Sequence, residues 1–139
     1  MVQLIVGKKG KGKTKQLLDK VNTEIKDAQG NVVYLDKSTK HMYELNNKIR
    51  LINVADYLIT NSDEFLGFIC GIVSQDHDLQ KMFFDSFLNI SCLEGKDITA
   101  VIQKLEAISD KFLVDFVLSV SADENDLPED VRSKIIVSL

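Results

Sequence analysis

Apolar and polar positions switch between two periods along this chain. Val2, Leu4, Ile5 and Val6 form a short, largely β-branched run that stops at Gly7, the pattern of a buried strand. Over residues 15–28, Leu17, Leu18, Val21 and Ile25 recur at helical spacing, and Gly30 follows where a C-terminal cap belongs. Val32-Val33-Tyr34-Leu35 predicts a second buried strand ended by Asp36, and residues 49–54 predict a third. Residues 63–74 predict a helix whose Gly67 and Gly71 stand one turn apart, which suits close packing of helix on sheet. Residues 81–85 predict a strand ending in an acid. Residues 97–112 predict an amphipathic helix with Ile98, Val101, Ile102, Leu105 and Ile108 on one face. Residues 114–121 predict another apolar strand, and Asp126-Leu127-Pro128 opens a last helix. Such alternation predicts an α/β fold: a three-layer α/β/α sandwich with a mainly parallel sheet of about five strands. The 139 residues fit one domain, 1–139.

Composition narrows the function classes. The net charge is −4, which gives no global field for nucleic acid. Cys70 and Cys92, with His41 and His77, are too few and scattered for a zinc or disulfide framework, and they fit a reduced, cytoplasmic setting. Cys70 reads as a small core residue. Both histidines read as surface residues, and Tyr34 and the phenylalanines at 65, 68, 83, 84, 87, 112 and 116 as core. The longest apolar run, residues 65–73, falls short of the ~20 residues of a membrane span. Lysines follow the first apolar run rather than precede it, the wrong order for a signal peptide.

The lysines change the picture most. Of the 17 basic residues, 15 are lysine, and five of those fall within the first 15 positions. There Gly7-Lys8-Lys9-Gly10-Lys11-Gly12-Lys13-Thr14 satisfies G-x-x-x-x-G-K-[ST]. A chance match is expected in roughly 0.4% of chains of this composition, so the string stands above background. Gly7 and Gly12 permit backbone angles that a Cβ forbids, which lets the loop turn its N–H groups onto phosphates. The helix that follows aims its positive end at them. Lys13 is expected to reach the β- and γ-phosphates, and the Thr14 hydroxyl to ligate Mg²⁺.

Loop and context together resemble the P-loop NTPases. Their RecA-like (ASCE) members carry an acid at the end of an apolar strand, which the resemblance assigns to Asp85 in Phe83-Phe84-Asp85-Ser86. Asp36, closing an earlier strand, is the secondary candidate. The resemblance implies an ATP-binding protein with Mg²⁺-dependent hydrolysis, with nucleotide held by residues 7–14 and the metal by Thr14 and Asp85. Many ATPases place Glu directly after that Asp; here it is Ser86, which points to slow hydrolysis and leaves Asp36 and Glu94 as base candidates. Ser119 or Ser121 takes the place of a polar sensor or simply ends its strand, the second being favoured. Lys8 occupies the position of the signature lysine of MinD/ParA-type loops, while Lys9 departs from that pattern.

The chain is also similar to short bacterial P-loop proteins loosely labelled twitching-motility or pilus-retraction ATPases. It lacks the His- and Asp-rich boxes of the long motors of that name, so pilus retraction is not implied. ATP is favoured over GTP because Asn47-Lys48-Ile49-Arg50 fails as an Asn-Lys-x-Asp guanine reader. Two arginines, Arg50 and Arg132, are few for a nucleotide kinase, whose phosphates are clamped by guanidinium forks. A non-hydrolysing nucleotide switch is the main alternative. Nucleotide is the expected partner, and a homo-oligomer or protein partner stays open. The acids Asp123, Glu124, Asp126, Glu129 and Asp130 read as a solvated loop and helix start.

Overall fold

The computed structural model describes residues 1–139. Its elements run β1 (Val2–Gly7), α1 (Lys13–Glu24), β2 (Asn31–Asp36), β3 (Arg50–Asn53), α2 (Ser62–Gln75), β4 (Leu79–Phe84), α3 (Phe87–Ile90), α4 (Thr99–Phe112), β5 (Asp115–Ser121), α5 (Glu129–Arg132) and β6 (Ile135–Ser138). The strands form one six-stranded sheet in the order β3-β2-β4-β5-β1-β6, and every pairing is parallel. No helix is long and apolar enough to cross a membrane.

Side-chain alternation along the strands builds two cores. Leu4, Val6, Val33, Leu35, Met82, Phe84, Phe116 and Leu118 face α2, α3, α4 and α5 in the larger one. Ile5, Tyr34, Phe83 and Val117 face α1, whose Leu17, Leu18, Val21 and Ile25 close the smaller one. Phe65, Phe84, Phe87 and Phe116 meet edge-on, with centroids 5.6–6.3 Å apart, the geometry that aromatic quadrupoles favour.

Several expectations need correction. The sheet has six strands, not about five. The Asp126–Pro128 start signal yields a single turn of helix, and Ile135-Ile136-Val137 then turns extended to pair with β1. Gly67 and Gly71 do not pack on the sheet: both are exposed, and an added Cβ would meet open space. Cys70 and Phe112 also face outward. α2 buries Phe65, Leu66, Ile69 and Val73 instead, and a stripe that narrow leaves its other faces to solvent. Gly30 does not cap α1, which ends at Glu24; a Cβ there would stand 2.1 Å from the Asp78 carbonyl oxygen.

Candidate functional site

Parallel register assembles the site. Leu35 pairs with Phe84, and Phe84 with Leu118, so the next positions, Asp36, Asp85 and Ser119, stand at one level at the carboxyl ends of β2, β4 and β5. Two residues earlier on each strand lie Tyr34, Phe83 and Val117, which face α1. A period of two therefore turns all three polar side chains to the same face, where the N-terminus of α1 arrives.

The loop after β1 delivers that N-terminus. Gly10 and Gly12 adopt φ of 83° and 94°, left-handed values that favour glycine. Gly12 therefore has the predicted role, while Gly7 is constrained by space: a Cβ there would lie 3.0 Å from Leu139 Cβ. No side chain caps α1 and no acid stands in its first turn, so its positive end is left for an anion. Lys13 is buried and donates to the Lys8 carbonyl oxygen at 3.1 Å. Burial holds its ammonium below the ordinary value, opposed by Asp85 and reinforced by Lys9. The side chains of Lys8, Lys9, Lys11 and Lys15 are exposed.

Asp85, 2% exposed, is the hub. Its Oδ1 accepts from the Thr14 hydroxyl at 3.1 Å, the Ser119 hydroxyl at 3.0 Å and the Ser86 N–H at 2.8 Å; its Oδ2 accepts from the Tyr34 hydroxyl at 2.8 Å. Ser86 sits at φ 53°, a left-handed conformation uncommon outside glycine, and its N–H also reaches Ser119 Oγ at 3.0 Å. Burial, then the charge and hydrogen bond of Asp85, push the Tyr34 hydroxyl far above the usual phenol range.

Asp36 is as buried, at 3% exposed, and bonded differently. Its Oδ1 accepts from the Lys37 N–H at 2.7 Å, whereas Oδ2 is buried with no hydrogen-bond partner. Burial, then the charge of Asp85, raise its carboxyl above the usual range. His41 completes the group: one ligand atom each from Asp36, His41 and Asp85 lie within 4.8 Å of one another. The His41 Nδ1 is paired with Glu44.

A cavity of about 690 Å³ spans these features, walled by Lys13, Thr14, Asp85, Ser119 and Ser121 on one side and by Lys37, Lys40 and His41 on another. That volume is in the range of small-ligand sites. Glu94 also lines it but is exposed, with Oε1 accepting from Asn89 at 3.3 Å. The structure brings Lys13, Thr14, Asp85 and Asp36 together. The sequence reads Tyr34 as core, Ser119 as a polar sensor or, by preference, a strand end, and His41 as a surface residue. The register of Ser119 with Asp85 is the signal for the first pair, and it becomes readable only once the strand order is known. The acids of residues 123–130 lie away from the cavity lining. No protein-family model and no curated protein matches the chain.

Proposed function

We propose that this protein is a P-loop NTPase of the RecA-like type that binds ATP with Mg²⁺ and hydrolyses it slowly. The observation that carries the reading is the 3.1 Å hydrogen bond between Thr14 and Asp85, residues 71 apart in sequence, at the rim of the cavity. A hydroxyl directly after the loop lysine, held against a strand-end carboxylate, is the pair of oxygens that a hard octahedral cation takes alongside phosphate.

The residues present fit the group. The uncapped start of α1 and the Gly10–Gly12 turn offer N–H donors to phosphate. Lys13 would exchange the Lys8 carbonyl for β- and γ-phosphate oxygens, and Thr14 and Asp85 would hold Mg²⁺. Bound Mg-ATP supplies a phosphoryl group whose transfer to water depends on positioning and charge stabilisation. Tyr34 and Ser119 hold the Asp85 carboxylate in place for that role, because both donate to it. Ser86 stands where a glutamate would serve as base, and Glu94 is exposed, which supports slow turnover and keeps a non-hydrolysing switch as the second reading.

Steady-state phosphate release across protein concentrations tests hydrolysis. Release that is slower than ~1 s⁻¹, the low end of common enzymes, and abolished by Lys13→Ala is expected. Binding without release favours the switch. Release unchanged in Lys13→Ala contradicts the assignment.

A further inference from the structure

The orphaned oxygen of Asp36 calls for a partner. A buried carboxylate oxygen without a hydrogen bond is rare and destabilising. The other buried side-chain oxygen lacking a hydrogen bond, Glu24 Oε2, has the Lys20 ammonium 3.1 Å away. Asp36 Oδ2 has no such cation in bonding contact. Asp36 stands beside a second buried carboxylate, Asp85, and the His41 imidazole, and those two line the cavity.

We propose that Asp36, His41 and Asp85 form a binding site for a first-row divalent transition-metal ion such as Mn²⁺, filled without nucleotide. The donor set is one nitrogen and two carboxylate oxygens on three chain segments: the ends of β2 and β4 and the loop after β2. Bonds of ~2.1 Å place opposed ligand atoms ~4.2 Å apart. Only one pair among three ligands can be opposed and adjacent ligands stand closer, so the three atoms, all within 4.8 Å of one another, reach a shared ion by inward movement of their side chains. Carboxylates alone suit Mg²⁺ and Ca²⁺, and the imidazole shifts preference toward the transition series.

The surroundings support His41 as a ligand. With Nδ1 paired to Glu44, Nε2 is the nitrogen left to bind. Metal-bound histidines characteristically give their other nitrogen to a carboxylate, which fixes ring and tautomer. On the Asp36 side, Oδ1 is occupied by the Lys37 N–H and Oδ2 remains. Three protein ligands leave further positions for water or a phosphate oxygen, the arrangement of an open rather than a structural site. Only Asp85 is shared with the Mg-nucleotide assignment, so the site stands without that reading.

The test uses EDTA-stripped full-length protein, Mn²⁺ alone and no nucleotide. Electron paramagnetic resonance counts bound ion through loss of the free aqueous signal, and spin-echo modulation detects a coordinated imidazole nitrogen. One Mn²⁺ per chain with nitrogen coupling is expected. In His41→Ala the coupling should vanish and affinity should fall at least about tenfold, and Asp36→Asn should weaken binding at least as much. No binding at millimolar Mn²⁺, or binding without nitrogen coupling in the wild type, overturns the proposal. The second result would place the ion on oxygen ligands alone and leave the nucleotide reading untouched.

Discussion

The carboxyl ends of β4 and β2 carry acids of matching burial and contrasting bonding. Asp85 receives four hydrogen bonds, from Thr14 on α1, Tyr34 on β2, Ser119 on β5 and the Ser86 backbone. Asp36, one strand away at the same level, receives one and leaves an oxygen bare. Burial alone therefore says little about a carboxylate. Four donors from separate segments fix a charge in place and make it part of the folded structure. One donor leaves the second oxygen of Asp36 uncompensated.

Removing the hub has the largest expected effect on this contrast. Asp85→Ala leaves the buried Tyr34 hydroxyl without a partner and the Ser119 hydroxyl with only the Ser86 N–H, and denaturant unfolding should show a loss of roughly 2–4 kcal/mol. A loss below ~1 kcal/mol would mean that Asp85 is no better held than Asp36.

Tyr34→Phe removes one donor and should lose about 1–1.5 kcal/mol. The same bond has a pH signature. The folded phenol is raised above its ordinary value of 10.0, so the stability it contributes is full below pH ~10 and declines as the pH rises above it. Ultraviolet titration of the native protein and of Tyr34→Phe should give the same ionisation change over the ordinary phenol range, because Tyr34 stays protonated there. An extra ionisation in the wild type over that range would break the Tyr34–Asp85 link.

Asp36→Asn has the smallest effect and the opposite sign. It keeps an acceptor for Lys37 and removes an unpaired buried charge beside Asp85. In EDTA at neutral pH it should be neutral or stabilising by up to ~1 kcal/mol. A loss above ~1 kcal/mol would show that Asp36 is held by its surroundings as Asp85 is.

The contrast also marks what the chain reveals unaided. The glycine- and lysine-rich string of residues 7–14 and the strand-end acids are local features, legible in consecutive residues, and so are the elements that carry them. Helix 13–24 and strands 2–7 and 115–121 follow from periodicity because each buries one stripe or one long run. β6 escaped because four residues after a helix-start signal carry little pattern of their own, and pairing with β1 decides their conformation. Tyr34 reads as core because its ring is core; only its hydroxyl has another task. Ser119 and His41 belong to the site through register and loop closure across 34 residues and a neighbouring strand; the sequence marks Ser119 only as one of two strand-end serines and His41 not at all.

The central claim is that the loop at the head of α1 holds the phosphates of a nucleotide. Isothermal titration of the metal-stripped protein with ATP and excess Mg²⁺, repeated on Lys13→Ala, tests it most directly. One saturable site per chain is expected in the wild type. Its affinity should fall about 10–100-fold in the variant, because a charge-assisted contact is worth about 1.5–3 kcal/mol. No binding to the wild type at millimolar nucleotide, or equal binding to both proteins, would contradict it.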